Sequence, residues 1–163
     1  MRSPTRLQKL IQHLAASRGG SWILLRVLPP IDRLLFRWSG NKYTLVGLAA
    51  GLPTLLLIST GAKSGKARTT PLVGIPRGNS YILIGSNFGQ THHPAWVYNL
   101  RAHPHASLSL DGKTSDYVAR EVYTEERGEC WKEAVLYYAG YDAYKARANR
   151  EIAVFVLEPS NKM

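Results

Sequence analysis

Short apolar runs separated by glycine, proline and polar turns fill the chain after residue 53, whereas its beginning follows helical spacing. Leu7, Leu10, Ile11 and Leu14 recur at intervals of three and four residues, which predicts an amphipathic helix. From residue 54 onward, runs rich in Leu, Ile, Val and Thr predict strands. The pattern therefore predicts a helical segment over residues 1–45 followed by a sheet-forming core over residues 54–159.

Six short strands are predicted, and the turns between them indicate antiparallel pairing. The segments Arg77-Gly78-Asn79 and Asp111-Gly112-Lys113 each separate two apolar runs, as tight hairpin turns do. A doubly wound parallel sheet would need strands that alternate with helices, so the pattern favours a small barrel instead. The predicted strands are 54–59, 69–76, 80–86, 106–110, 115–122 and 151–159.

Two helical stretches interrupt these strands, which makes the predicted fold class α+β. The first lies near residues 94–101, beginning at Pro94 and ending before Pro104, because proline suits the first turn of a helix but not its interior. The second covers residues 124–148 and begins at Thr124, where two glutamates suit the positive end of a helix. Gly140 is expected to interrupt it.

Residues 43–62 carry no charge, and a run of this length could span a membrane. Gly47, Gly51 and Pro53 interrupt it, so we interpret the run as a turn-rich lead-in to a buried strand. Arginines interrupt the earlier apolar stretches as well, which argues against a secretory signal. We expect a single domain over residues 1–163, whose basic N-terminal part packs on the core or lies at a membrane surface.

The net charge of +10 is concentrated in one part of the chain. Residues 1–110 contain thirteen Lys and Arg but one acid, whereas residues 111–163 contain eight Lys and Arg and ten acids. Such a field favours an anionic small molecule, a nucleic acid or an anionic membrane surface. No nucleic-acid recognition module is present, so nucleic-acid binding is the least favoured of the three.

Cysteine and histidine suggest neither a disulfide nor a metal site. Cys130 is the single cysteine, which excludes an internal disulfide and suits a reducing cytoplasm. His92, His93, His103 and His105 lie in proline-containing loops, and no carboxylate or cysteine is close to them in sequence. We therefore predict no metal.

The stretch TGAKSGKARTTPL, residues 60–72, combines three cations with two glycines and no acid. It is not a nucleotide-binding P-loop, because Gly61 and Gly65 are one residue too close and Ala67 replaces the metal-binding hydroxyl. What remains is a cationic turn between two strands, which either binds phosphate or carboxylate groups or is a solvated hairpin tip. A second stretch, GSNFGQTHHPAWVYNL at residues 85–100, offers small residues, backbone groups and an amide at a helix start.

Together with AHPHASLSL and YYAGYDAY, these stretches resemble, in order and spacing, the deazaflavin-dependent nitroreductase family of flavin/deazaflavin oxidoreductases. The resemblance covers about residues 55–159 and implies a split β-barrel that binds coenzyme F420, a deazaflavin with a phosphate and an oligoglutamate tail. It implies a reductase that transfers a hydride from reduced F420 to a lipophilic quinone, enone or nitro compound. The alternatives are a split-barrel protein that uses FMN or FAD, and a carrier of lipid or cofactor without turnover.

The resemblance also implies roles for individual residues, and two of them depart from the family pattern. Ala62 stands where many members have a cation, so we expect weaker binding of the cofactor's tail; Asn87 replaces a lysine of some members. The implied cofactor-binding residues are Ala62, Lys63 and Ser64 at the tail, Arg68 at the phosphate, Thr69, Thr70, Pro71, Leu72 and Val73 along the cofactor, Ile84, Gly85, Ser86 and Asn87 beside the ring, Ala95, Trp96, Val97, Tyr98 and Asn99 on its other side, and Tyr141.

The implied substrate-binding residues are Ser86, Tyr138, Tyr141 and Tyr144. Ser86 would orient the acceptor or the ring, and Tyr138 or Tyr141 would donate a proton after hydride transfer, since a phenol is protonated at neutral pH. Without the resemblance, the near-helical spacing of the tyrosines would be typical of core residues. The predicted protein is cytoplasmic, possesses no metal and contacts the membrane, if at all, through its N-terminal segment.

Overall fold

A computed structural model of the chain describes residue 17, residue 52 and residues 54–160. The predicted N-terminal helical segment lies outside the described residues. The described part contains seven strands, three α-helices and one 3₁₀ turn at Asn87–Gly89. The strands are β1 (Thr54–Thr60), β2 (Ala67–Val73), β3 (Ile75–Arg77), β4 (Ser80–Ile84), β5 (His105–Leu110), β6 (Lys113–Glu121) and β7 (Val154–Pro159), and the helices are α1 (Ala95–Ala102), α2 (Thr124–Tyr137) and α3 (Gly140–Ala148).

The seven strands form one antiparallel sheet in the order β2-β1-β5-β6-β7-β4-β3. Strands β2 and β3 lie at opposite ends of this order, yet residue 74 alone separates them in the chain. A flat sheet could not satisfy both conditions, because its ends would be several strand spacings apart. The sheet therefore curls into a half-barrel, which confirms the predicted architecture of mostly antiparallel strands with helices near 94–101 and 124–148.

The predicted single strand over residues 69–76 is divided at Gly74. On one side Val73 pairs with Thr54 of β1, and on the other Ile75 pairs with Ile82 of β4, so the two halves belong to opposite ends of the sheet. A Cβ atom at Gly74 would lie 2.7 Å from Cγ of Leu55. The chain can turn at this corner because residue 74 has no side chain.

Two clusters of buried side chains cover opposite faces of the sheet. Strand β7 shows the division, since Val154 and Val156 belong to one cluster while Phe155 and Leu157 belong to the other. The first cluster lies against α2 and α3, and the second contains the buried side chains of α1. Alternating side chains of a strand point to opposite faces, so a strand that is apolar at every position is buried on both.

The hairpin between β5 and β6 confirms the Asp-Gly turn predicted from the sequence. Asp111 and Gly112 both have positive φ, at 48° and 80°, as the two central residues of such a turn require.

The apolar run before residue 60 ends in β1, whose residues Leu55, Leu56 and Leu57 are buried. In the part of the chain that the structure describes, no helix is both long enough and apolar enough to cross a membrane.

Substituting Gly74→Ala should lower the free energy of unfolding by about 1–3 kcal/mol, because the new methyl group must displace Leu55 in a packed core. Gly128→Ala is the matched control. Gly128 lies within α2 and has no atom near the position of an added Cβ, so the substitution should stabilise the helix by up to about 1 kcal/mol. Urea unfolding of both variants measures the difference. Equal stability of Gly74→Ala and the wild type would contradict the proposed packing at this corner.

Candidate functional site

The basic stretch forms a tight turn between β1 and β2. The backbone N–H of Gly61 donates to the carbonyl of Lys66 at 2.9 Å, and that of Gly65 donates to the carbonyl of Gly61 at 2.8 Å. Gly65 has a φ of 65°, which favours glycine. A Cβ atom at Gly61 would lie 2.6 Å from Oγ of Ser64 and 3.2 Å from the carbonyl oxygen of Lys66, so a side chain there would have to displace the Ser64 hydroxyl. Residues 61–68, the turn and the first two residues of β2, are called the basic loop below.

A buried amide fixes the basic loop to the rest of the protein. Oδ1 of Asn99, on α1, accepts the backbone N–H of Ala62 at 3.0 Å, and Nδ2 of Asn99 donates to Oγ of Ser59 on β1 at 3.2 Å. Asn99 is 8% exposed and Ser59 is 2% exposed. Buried polar groups are costly unless they are hydrogen-bonded, so this pair of bonds strongly favours one position of the loop. Asn99 was predicted to contact a cofactor, but its amide faces the loop and β1.

The cations of this region have no acidic partner among the described residues. Lys63, Lys66 and Arg68 are exposed and form none of the ion pairs found there, although Nη2 of Arg68 donates to Oγ of Ser64 at 3.3 Å. Several arginines elsewhere are paired with acids: Arg101 lies 2.7 Å from Glu121, and Arg120 lies 2.6 Å from Glu126. Residues 54–110 contain no acid at all. The loop can therefore accept an anion without first breaking an ion pair with a described residue.

The second predicted segment, residues 85–90, leaves β4 and passes close to α1. The N–H of Gly85 donates to the carbonyl of Ala153 at 2.8 Å, and a Cβ atom at Gly85 would lie 2.9 Å from Cγ2 of Val97. Asn87, Phe88 and Gly89 follow with φ of 47°, 54° and 77°. Three successive left-handed residues are unusual, and two of them are not glycine. This segment, residues 85–90, is called the ring loop below, after its predicted position beside the cofactor ring.

Side chains of the ring loop itself help to hold its shape. Nδ2 of Asn87 donates to the carbonyl of His92 at 3.1 Å and to Oε1 of Gln90 at 3.3 Å. Asparagine is one of the few residues that tolerate the left-handed conformation. The backbone N–H of Gly89 donates to the carbonyl of Ser86 at 2.9 Å. Asn87, predicted to lie beside the ring, thus has its amide turned into its own loop.

Two arginines from the acid-rich last third of the chain also hold the ring loop, and sequence reasoning missed both. Nη2 of Arg147, on α3, donates to the carbonyl of Phe88 at 3.1 Å, and its guanidinium lies 5.0 Å from the ring centre of Tyr144. Arg150 donates to the carbonyls of Gly85 and Ser86 at 3.0 and 3.2 Å. No sequence motif marks either residue, because their acceptors lie about sixty positions earlier in the chain.

The predicted tyrosines form a buried cluster. Tyr138, Tyr141 and Tyr144 are 6%, 5% and 3% exposed, and their ring centres lie 5.2 to 6.3 Å apart. The hydroxyls of Tyr138 and Tyr144 lie 2.9 Å apart. Burial raises the pKa of all three phenols, so they remain protonated at neutral pH. Either hydroxyl of this pair can donate to the other, so each phenol can stabilise its partner's deprotonated form.

The structure brings most of the predicted segments together around α1 and α3. Asn99 joins α1 to the basic loop, and Val97 joins α1 to the ring loop; Phe88 of the ring loop lies 6.0 Å, ring centre to ring centre, from Tyr144 on α3. The other predicted residues are divided among the core, the surface of α1 and the edge strand β2. Trp96, Val97 and Ile84 are buried in the core, whereas Ala95 and Tyr98 are exposed on α1. On β2, Thr69 and Pro71 are exposed, and Thr70, Leu72 and Val73 are half-buried.

A separate polar cleft of about 120 Å³ lies near the end of α1, and its charged groups already have partners. Arg101 pairs with Glu121 at 2.7 Å, and Arg127 lies 3.0 Å from Glu151. Across residues 54–160, no group of three or more His, Cys, Asp or Glu side chains is placed to hold a metal ion. The uncompensated positive charge of the basic loop therefore makes it the stronger candidate for a ligand site.

Comparisons with known proteins point to one family. The family model of the F420H(2)-dependent quinone reductases matches residues 35–159. An F420H(2)-dependent quinone reductase of Mycobacterium tuberculosis is 32% identical over 108 residues, which are 64% of this chain and 72% of that protein. A solved F420-H2 dependent reductase is 39% identical with a TM-score of 0.61, covering 65% of this chain and 94% of that one. A second structure, described as a domain-swapped dimer, is 32% identical with a TM-score of 0.63, covering 86% and 99%.

Replacing Asn99→Ala should free the basic loop from α1. The exchange of the Ala62 amide hydrogen with deuterium should become faster, and the free energy of unfolding should fall by about 1–3 kcal/mol, because buried groups lose their partners. Ser59→Ala is the control. It removes the hydroxyl that accepts from Nδ2 of Asn99 but leaves the bond from the Ala62 N–H to Oδ1 of Asn99. In this control, the amide hydrogen of Ala62 should exchange as slowly as in the wild type. Unchanged exchange at Ala62 in Asn99→Ala would show that the amide does not hold the loop.

Proposed function

The chain belongs to the family of F420H(2)-dependent quinone reductases, and we propose that it transfers a hydride from reduced F420 to a lipophilic quinone while the basic loop holds the cofactor's acidic end. The family consists of oxidoreductases whose cofactor is coenzyme F420. The antiparallel half-barrel with three helices matches the solved F420-H2 dependent reductase, so the predicted split β-barrel is confirmed.

The fit of the cofactor to this chain depends on charge. F420 has a phosphate and several carboxylates at one end, and the basic loop offers cations that form no ion pair with a described residue. Arg68 can bind a phosphate through two parallel N–H donors, while Lys63 and Lys66 act as point charges. This set of unpaired cations on a loop of fixed position is the observation that carries the proposal. Ala62 contributes its backbone N–H to Asn99, so it supports the loop without adding charge.

The remaining cofactor-binding residues are proposed from the course of the chain beyond the basic loop. Residues 69–73 continue along the exposed edge strand, and the ring loop follows at the end of β4. Ser86 lies half-exposed on that loop, where its hydroxyl or backbone could orient the acceptor. When bound, F420 supplies the hydride, so the protein's task is to hold the acceptor in line and to manage charge.

A proton must follow the hydride, because reduction of a quinone carbonyl leaves a negative oxygen. Of the two predicted donors, Tyr138 is the one we propose, since the Tyr144 hydroxyl 2.9 Å away can hydrogen-bond to the phenolate that remains after the proton has left. Tyr141 and Tyr144 pack against it and keep water away. The raised pKa keeps these phenols protonated at neutral pH, which opposes a role as general base; it also makes them weaker acids than a free phenol, so donation requires a strongly basic acceptor.

The finer identity of the acceptor and the cellular setting are proposals as well. Enones and nitro compounds are proposed as further acceptors, because each can take a hydride and leave a negative charge that a phenol can neutralise. Cytoplasmic location, membrane contact through the N-terminal segment, and the absence of nucleic-acid binding stay predictions from the sequence. They depend on residues 1–45 and on composition, and not on the described site.

Exchanging two loop cations in the variant Lys63→Gln/Arg68→Gln should raise the Kd for F420 by about 10²-fold, since each charged hydrogen bond contributes roughly 1.5–3 kcal/mol. The same variant should bind the deazaflavin riboside, which lacks the phosphate and glutamates, as the wild type does. Fluorescence titration measures both affinities. The wild type should show little binding of FMN or FAD in parallel titrations.

The control for this experiment is Lys113→Gln/Lys132→Gln, which makes the same change in net charge elsewhere. Lys113 begins β6 at the end of the sheet opposite the basic loop, and Lys132 lies on α2. This control should retain wild-type affinity for F420. Equal weakening in both double variants would mean that overall charge, and not the loop, attracts the cofactor. Saturation of the wild type by FMN but not by F420 would refute the proposed function.

Removing one hydroxyl with Tyr138→Phe should lower kcat for menadione reduction by about 10²-fold, the lower range for general acid catalysis, and leave the Kd for F420 unchanged. Tyr137→Phe changes the neighbouring half-buried tyrosine and should have wild-type kcat. Steady-state assays that follow the oxidation of reduced F420 provide the comparison. Wild-type kcat in Tyr138→Phe would assign the proton to water instead.

A further inference from the structure

Every N–H donor of the Arg150 guanidinium has an acceptor, and none of these acceptors is a carboxylate. Nε donates to the carbonyl of Gln90 at 3.0 Å, and Nη2 donates to the carbonyls of Gly85 and Ser86. Nη1 donates to Nδ1 of His93 at 3.0 Å and to the carbonyl of Glu151 at 3.2 Å. Because arginine has five such donors in a fixed plane, this set of five bonds strongly constrains the position of each acceptor.

Three of the five acceptors are backbone carbonyls of the ring loop. They belong to Gly85, Ser86 and Gln90, so the guanidinium spans the loop from one end to the other. Burial lowers the pKa of Arg150, which is the expected cost of placing a cation where carbonyl dipoles alone compensate it. A surface arginine usually pairs with a carboxylate; an arginine that binds only carbonyls and an imidazole fixes backbone shape instead.

The ring loop needs such support because of its conformation. Asn87 and Phe88 lie in the left-handed region, which residues with a side chain adopt only where the surrounding structure holds them. Arg147 supports the same stretch through its bond to the carbonyl of Phe88. A Cβ atom at Gly89 would lie 2.8 Å from Nε of Arg147, so glycine there lets the arginine pass over the loop.

We propose that Arg150 is a positioning residue, which fixes the ring loop in the shape that receives the cofactor's ring and aligns it with α3. The proposal rests on the proposed function for the identity of the ligand. All of its N–H donors are used within the protein, so Arg150 acts through the backbone of Gly85 and Ser86 and not by touching the cofactor. Hydride transfer is sensitive to displacements of about an ångström, so a loosened loop should slow the reaction more than it weakens binding.

His93 makes this arrangement sensitive to pH. Arginine can only donate, so Nδ1 of His93 must accept, and a proton on that nitrogen would oppose the N–H of Arg150. Burial, Arg150 and Arg101 lower the pKa of His93 from 6.5, whereas Glu121 opposes them; Tyr98 packs against the imidazole edge-to-face. A lowered pKa means that the folded protein favours the neutral imidazole. The bond is therefore present above pH 6.5 and lost as the pH falls through the lowered pKa.

The decisive variant is Arg150→Lys, which keeps the positive charge but has three donors and no planar fork. Its kcat should fall by about 10²-fold, while the Kd for F420 should rise by no more than about tenfold. Deuterium exchange of the backbone amides of residues 85–93 should become faster, and exchange in β5, β6 and β7 should not change. Acidification from pH 7.5 to 5.5 should lower the protection factors of these amides, which are corrected for the slower intrinsic exchange at acidic pH, more in the wild type than in Arg150→Lys.

The control is Arg120→Met. Arg120 lies on β6 and pairs with Glu126 and Glu158, neither of which belongs to the ring loop. It should leave kcat and the exchange of residues 85–93 at wild-type values. Wild-type kcat and wild-type exchange in Arg150→Lys would overturn the proposal, as would faster exchange spread evenly over the whole core. If the wild type failed to bind F420, the proposed function would be wrong, and faster exchange confined to residues 85–93 would still support the positioning role.

Discussion

The side-chain amide of Asn99 is the interaction on which the arrangement of this site depends. It joins β1, the basic loop and α1, three parts of the chain that hydrophobic packing alone would not hold in fixed register. An amide can accept and donate at once, which is what the N–H of Ala62 and the hydroxyl of Ser59 require. Since α1 also packs against Gly85 through Val97, one short helix contacts both the basic loop and the loop that we propose to border the ring.

The distribution of acids explains why the basic loop remains available to a ligand. The acids of the described residues all follow residue 110, and many pair with arginines that bind elements of the scaffold together. Arg77 on β3 contacts Glu126, Glu129 and Glu133 on α2, for example, which ties the edge of the sheet to a helix. Exposed ion pairs of this kind contribute little stability singly, but they keep the acids away from the basic loop. The described residues thus present, at the basic loop, three cations that have no acidic partner among them.

Local features of the fold could be predicted from the sequence, and features that depend on distant contacts could not. The Asp111-Gly112 turn and the helices beginning after Pro94 and at Thr124 are set by neighbouring residues, and the structure has them where the sequence predicts. The division of one strand at Gly74 depends on the curl of the whole sheet. Arg150 was missed for a similar reason, because its acceptors are brought to it only by the pairing of β4 with β7. The basic loop could be singled out because residues 60–72 hold three cations and no acid, but this composition left a solvated hairpin tip open as the alternative to an anion site.

Burial of the tyrosine cluster divides the chemistry of the site into two regions with opposite electrostatic properties. The basic loop is exposed, where cations keep their charge and bind anions at modest cost in desolvation. The phenols lie in an apolar cluster, where the neutral form is favoured and a proton leaves only when a stronger base appears beside it. The oxygen of a newly reduced quinone is such a base, whereas the quinone itself is not. In the proposed mechanism, a buried phenol would therefore remain protonated while the acceptor binds and would donate only after the hydride has arrived, so that hydride transfer precedes proton transfer.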